Sequence, residues 1–236
     1  MGRNVSFGQI ISATRIEAGM DPDPALSNNI LPLIKAIINR EYARLYEDFD
    51  WPFLRVSRDI TVQAGQRYYD LPNDMDLDRI ERVDYFWGEK WFPLDRGINP
   101  DHYNTYNSDI DVRSEPMFRW DIKWTGSEAQ IEAWPVPVTN GRVFRLTGIR
   151  KAVEMIADAD LCDLDDQMII LFAASELLAR KQSPDAGTKQ QKAVQRYQTI
   201  KSRSQQTKTN AFSFQNAPRP DPRLGRVPLV AYVRNP

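Results

Sequence analysis

A chain of 236 residues, 42% hydrophobic and 27% charged, has an ordinary globular make-up and room for one large domain or two modest ones. Its net charge of −1 hides a division: Arg180 to Pro236 carries twelve Lys and Arg against two Asp and Glu, net +10, which leaves the preceding residues at −11. One cysteine, Cys162, excludes an internal disulfide and fits a reducing compartment.

In chain order, Val5-Ser6-Phe7-Gly8-Gln9-Ile10 predicts a helix start, with Ser6 as cap, Gln9 closing a capping box and Val5 stapled on Ile10. Gly19 is its stop. The same residues match a myristoylation pattern, which the helix start explains without a lipid. A second helix is expected from about Asn29 to Asp50, with Pro32 in its first turn and an apolar stripe of Ile30, Leu33, Ile34, Ile37, Ile38 and Leu45. Asp50-Trp51-Pro52 ends it.

The period then changes to two. Leu54 to Val62 and Arg67 to Leu71 read as strands, as do Ile80–Trp87 and Lys90–Leu94, joined by Gly88-Glu89 in a type II′ turn. Pro100 to Tyr106 reads as a short helical excursion, and Phe118–Trp124, Gln130–Trp134 and Arg142–Ile149 as three more strands. Asp163 is placed as the cap of a helix running to Ser183, with Asp165 and Asp166 in its first turn. Its apolar residues cover most of the circumference, so it is expected to be buried on several sides. A last helix follows Ser183-Pro184, with a narrow stripe of Ala193, Val194, Tyr197 and Ile200. The simplest packing is an α+β fold: an antiparallel helical bundle from both chain ends (1–50 and 151–205), a β-rich inserted module (51–150) and an extended C-terminal arm (206–236). Trp51-Pro52 and Ile149-Arg150 are then neighbours.

Chemistry-bearing motifs are not found. The phosphate-loop, dinucleotide and nucleophile-elbow patterns are missing, and the single His102 has no companion for a metal site or a triad. Asp158 to Asp166 imitates a calcium loop, but Asp163 and Ile169 stand where glycine and glutamate are required. Asp74, Asp76 and Asp78 read as a solvated turn. No enzymatic activity, metal or cofactor is expected. The many aromatics between Trp51 and Trp134 are assigned to core and protein interface ahead of base stacking. Met168–Ala174 is too short to span a bilayer and the opening residues lack a secretory leader, so neither a membrane location nor export is expected.

The arm is the unusual feature. Pro218, Pro220, Pro222 and Pro228 forbid a helix, while Val227 to Val233 is an unbroken apolar run. Such a segment suits docking along another protein, with Phe212, Phe214, Leu224, Val227, Leu229, Val230 and Tyr232 as anchors and Arg219, Arg223 and Arg226 meeting acidic groups. Folding back as a strand on the chain's own β module is the alternative.

Four stretches, LIKAIINREYARLYEDFDWPFLR, AGQRYYDLP, DLDRIERV and DLDDQMIILFAASELLARKQSPDA, resemble the head-to-tail adaptor (connector) proteins of short-tailed double-stranded DNA phages, of the tail tubular protein A-like kind. The likeness covers roughly Leu31 to Lys201. It implies a structural virion protein of the neck, assembled in the host cytoplasm: a homo-oligomeric ring of about twelve subunits beneath the portal protein. The ring would prolong the channel for genomic DNA, without sequence specificity, and carry the tail nozzle and tail fibre proteins. Two other classes remain open: a DNA-binding protein using the basic C-terminal segment, and a head-completion or neck protein of a long-tailed phage.

Overall fold

Alternation of apolar and polar residues between Arg55 and Arg150 builds one sheet, and the longer apolar period on either side builds helices against it. The structure, a computed structural model, describes residues 3–21 and 28–206. In order these are β1 (Val5–Ser6), α1 (Phe7–Glu17), α2 (Leu31–Glu47), β2 (Arg55–Thr61), β3 (Tyr68–Asp70), β4 (Met75–Trp87), β5 (Lys90–Arg96), α3 (Pro100–Thr105), β6 (Arg119–Trp124), β7 (Ala129–Trp134), β8 (Val143–Arg150), β9 (Leu161–Cys162), α4 (Asp166–Arg180) and α5 (Asp185–Gln206). Strands β2 to β8 form a seven-stranded sheet of order β2-β8-β4-β5-β6-β7-β3, and β1 pairs with β9 apart from it.

The sheet corrects the expected fold class. The chain is dominated by this curled seven-stranded sheet, with five α-helices among the described residues, and is not a helical bundle carrying a small β module. The reason lies in β4. Met75-Asp76-Leu77-Asp78, read from sequence as a solvated turn, is the start of a 13-residue strand. β4 pairs with β8 on one side and β5 on the other, and β5 joins β6 in parallel. Strands β2 to β8 thereby belong to one continuous surface.

Two apolar clusters result. One gathers Phe7, Ile10, Ile34, Ile37, Ile38, Leu45, Ile169 and Ala173 from the helices, with Trp51, Leu54 and Ile149 entering from the sheet side. The other is formed by side chains of the sheet and contains Val62, Tyr69, Val83, Tyr85, Trp120, Ile131, Phe144 and Leu146. Helix α4 packs against α1, α2 and α5, which is why its apolar residues run almost all the way round.

The ends of elements are set by local chemistry. Helix α1 ends in Gly19 at φ 62°, with the Gly19 N–H donating to Ile16 O and the Met20 N–H to Arg15 O, the paired bonds of a Schellman stop. Its start differs from expectation: Ser6 makes no side-chain cap and lies in β1, and the first helical N–H groups of Phe7 and Gly8 donate to the carbonyls of Asp160 and Asp158. The α4 cap is Asp165, which accepts from the Met168 N–H, in place of the expected Asp163. Asp163 is instead ion-paired with Arg150. Both Gly88 (φ 53°) and Glu89 (φ 67°) are left-handed, so the β4–β5 turn is type I′ and not II′. Ile30 and Leu33, placed on the buried stripe of the second helix, are exposed.

Ionic side chains tie strands on the outer face. Arg145 on β8 pairs with Asp59 on β2, and Arg55 grips Glu81 through two bonds of 2.6 and 2.7 Å. Arg145 holds the Asp59 carboxyl below the usual carboxylate range by hydrogen bonding, and Arg58 does the same for Asp74. Glu132 on β7 is fully buried on the face opposite Ile131 and Ala133. It is neutralised by Arg67 at 2.7 Å and Lys123 at 3.3 Å, and its two oxygens share the single proton of the Tyr103 hydroxyl, at 2.8 and 3.0 Å. This network pins the segment carrying α3 across the sheet.

Gly148 sits where β4 is irregular, paired with Ile80. A Cβ at Gly148 would lie 2.7 Å from the Arg79 carbonyl oxygen, inside the closest approach that a backbone atom tolerates, and a tight 3.1 Å from Ile80 Cα. Gly148→Ala is therefore predicted to cost about 2 kcal/mol through forced separation of β4 and β8, read as a lowered urea midpoint with unchanged slope.

Candidate functional site

The groups with most chemical potential are buried or engaged. Cys162 is fully buried, and burial first of all pushes its thiol up to about 12, with the carboxylates of Asp163, Asp166 and Asp165 adding to the rise. His102 accepts the Asn99 N–H on Nδ1 at 2.8 Å and lies edge-on to Trp134. The carboxylates between Asp158 and Asp165 are each spoken for. Asp158 pairs with Lys35, and Asp160 accepts the N–H groups of Ile156 and Ala157, both at 2.7 Å. Asp163 pairs with Arg150, and Asp165 caps α4 and pairs with Arg196. No group of His, Cys, Asp or Glu suited to a metal is found among the described residues. No helix among them is long and apolar enough to cross a membrane.

The aromatics divide. Trp51, Tyr69, Tyr85 and Trp120 are core, whereas Trp124, at 70% exposed, and Phe118, Trp91 and Phe92 face outward on β5, β6 and the segment before β6. Trp91 is held between Phe86, at 5.0 Å, and the Arg145 guanidinium, at 4.3 Å, so its orientation is fixed without a covering layer.

At the C-terminal end of α5 a groove of 390 Å³ is lined by Arg3, Trp51, Phe53, Asp165, Arg196 and Arg203 among others. Arg3 lies over the Phe53 ring at 3.4 Å. The basic residues of α5 are partly committed to the fold: Lys189 pairs with Glu17 on α1 and Arg196 with Asp165. The anchors assigned from sequence, Phe212, Phe214, Arg219, Arg223, Leu224, Arg226, Val227, Leu229, Val230 and Tyr232, lie outside the described residues.

These surfaces offer contact, with fixed aromatics and open grooves, and among the described residues no acid, base and nucleophile converge. The model of the SU10 adaptor protein family matches residues 5–220. The chain belongs to that family. The resemblance to phage head-to-tail adaptors carried by the four stretches of sequence is thereby shown, and the adaptor's role is structural. A comparison with curated proteins returns no match.

Sequence reasoning missed two features of the adaptor. Arg79 clasps the end of α2, donating to Asp50 and to the carbonyls of Tyr46 and Phe49; an arginine inside an alternating strand gives no hint of that reach. In the segment between β8 and α4 the sequence reading weighs the aspartates and Cys162, and assigns no role to Val153 and Ile156.

Burial of the Cys162 thiol has a direct consequence. In the folded adaptor near neutral pH, Cys162 is predicted not to react with a thiol-specific chromogenic reagent over an hour, and to react fully once denaturant is added. Rapid labelling of the native protein would contradict the placement.

Proposed function

We propose that the adaptor forms a closed homo-oligomeric ring of about twelve subunits between the portal protein and the tail of a phage virion. In this reading the ring prolongs the channel through which genomic DNA passes without sequence specificity and presents a platform for tail nozzle and tail fibre proteins. The protein belongs to the virion neck, has no catalytic role and needs no cofactor. The observation that carries the reading is the family match over residues 5–220. It is supported by outward aromatics locked in place on the sheet, because pre-organised Trp and Arg suit protein contacts.

The segment from Phe212 to Pro236 is proposed as the attachment arm, docking on the portal or on a neighbouring subunit. Its prolines limit the entropy lost on ordering, and its apolar side chains contribute roughly 1.5–3 kcal/mol gross each when buried. Repetition around a ring turns modest single contacts into firm attachment. The domain reading proposed with it is a helical unit of 1–50 and 151–205, a β unit of 51–150 and the arm of 206–236. DNA binding by the basic C-terminal segment is less favoured, because Lys189 and Arg196 are already ion-paired within the fold.

Deletion of residues 212–236 tests the arm. The truncated chain is predicted to fold with unchanged circular dichroism and to lose at least tenfold in binding to portal-containing heads, measured by co-sedimentation. Binding at the full-length level would overturn the assignment.

A further inference from the structure

The segment between β8 and α4 presents large apolar side chains to solvent from a rigid frame. Val153 is 70% exposed, Ile156 75% and Leu161 58%. The backbone beneath them is heavily tied. Asp160 accepts the N–H groups of Ile156 and Ala157, Asn39 on α2 donates to Met155 O at 2.9 Å, and Lys35 on α2 pairs with Asp158. The α1 N–H groups of Phe7 and Gly8 donate into the same turn, and a Cβ at Gly8 would meet Asp158 Cβ at 3.2 Å. Met155 is buried as the plug. A loop so fully fixed has no need of exposed isoleucine and valine for its own stability, and three such residues on one short segment make a preformed knob.

On the other side of the helical layer lies an open groove of 620 Å³ between α2, α4 and α5. Its apolar lining includes Phe172, Ala179, Val194 and Tyr197, and its rim includes Arg44 and Glu176. Lys35 and Asn39, which hold the knob, and Glu41 and Arg44, which line the groove, are all on α2, and Asp48, also in the groove lining, is its C-cap. At about 100° per residue, the first pair and the second set point to opposite sides of that helix. Knob and groove therefore stand on opposed flanks of one layer. That is the arrangement a head-to-tail contact between identical subunits requires, and a two-fold contact does not use it. The groove's rim is electrically balanced, Arg44 pairing with Glu41 and Asp48, and Arg40 and Arg180 beside it with Glu176, so it is the apolar side chains of the knob that it suits.

We infer that the occupant of the groove is the 153–161 knob of a second copy of the adaptor, so that each subunit inserts into the next. The inference rests on the ring reading above and supplies its contact. Ile156 and Val153 enter between Phe172, Val194 and Tyr197 of the neighbour.

The test uses phage particles assembled with an adaptor carrying both Ile156→Cys and Val194→Cys, oxidised and run on a non-reducing denaturing gel. The native Cys162 is buried and does not compete. The doubly substituted chain is expected to give a ladder of dimers, trimers and higher species, and each single substitution monomers only. Dimers alone from the double variant would mean a two-fold contact, and cross-linking to a different protein would mean another occupant; either overturns the inference. If the cysteines stay unlinked while a lysine-reactive reagent joins adaptor copies, this pairing is wrong and the ring reading stands. If neither joins them, both fall. As a second variant, Ile156→Asp leaves the core untouched and is expected to keep the native circular dichroism while entering particles at under a tenth of the normal level; entry at the normal level overturns the inference.

Discussion

The adaptor depends on one clasp, in which Arg79 of the long strand β4 holds the end of helix α2. A helix ends with carbonyls that have no partner inside it. In α2 the Leu45 carbonyl accepts from Trp51 Nε1 at 3.0 Å, and the Tyr46 carbonyl from Arg79 at 2.8 Å. Arg79 also donates to the Phe49 carbonyl and to the Asp50 carboxylate. A positive charge at a helix C-terminus is favoured by the dipole as well as by the hydrogen bonds. One guanidinium thus closes the helix, fixes the chain as it turns into Pro52, and couples sheet to helices. Gly148 is the other half of the device, because only a residue without Cβ lets β8 come within reach of the Arg79 backbone. On the far side Arg150, at the end of β8, pairs with Asp163 just before α4. The chain therefore crosses between sheet and helices twice, and each crossing is held by an arginine.

This coupling explains how two apolar clusters behave as parts of one adaptor. Trp51, Leu54 and Ile149 belong to the sheet's end of the chain and are buried in the helical cluster. Trp51 meets Phe49, Phe53 and Tyr197 edge-on or tilted, with centroids between 4.9 and 6.2 Å. An adaptor must transmit position from one partner to another, and a joint fixed by charge, hydrogen bond and aromatic packing does so without a hinge.

Much of this was legible in the sequence, and the failures have physical causes. The aspartate-tryptophan-proline break after the second helix, the strand alternation and the Gly19 stop rest on local backbone rules and could be read directly. The cap of α4 shifted from Asp163 to Asp165 because Arg150, distant in sequence, claims Asp163. The Ser6 cap was displaced because the 158–160 turn supplies carbonyls to the same N–H groups. The solvated-turn reading holds for Asp74 and fails for Asp76 and Asp78, which lie on β4, because aspartates alternating with apolar residues look solvated even where the backbone is paired. Glu132 is the sharpest case. A fully buried carboxylate is favourable only when Arg67, Lys123 and Tyr103 converge on it from three segments, and no local pattern shows that convergence. The candidate site was less legible than the fold, since exposed Ile156 and Val153 become informative only when the backbone beneath them is seen to be fixed.

Equilibrium unfolding in urea, followed by far-ultraviolet circular dichroism for the helices and by tryptophan fluorescence, which includes Trp87, Trp91, Trp120, Trp124 and Trp134 of the sheet, tests the clasp most directly. If Arg79, Arg150 and Trp51 weld helices and sheet into one unit, the two signals fall in a single coincident transition. Two transitions at separate urea concentrations, with the helices melting while the sheet tryptophans keep their native emission, would contradict the account.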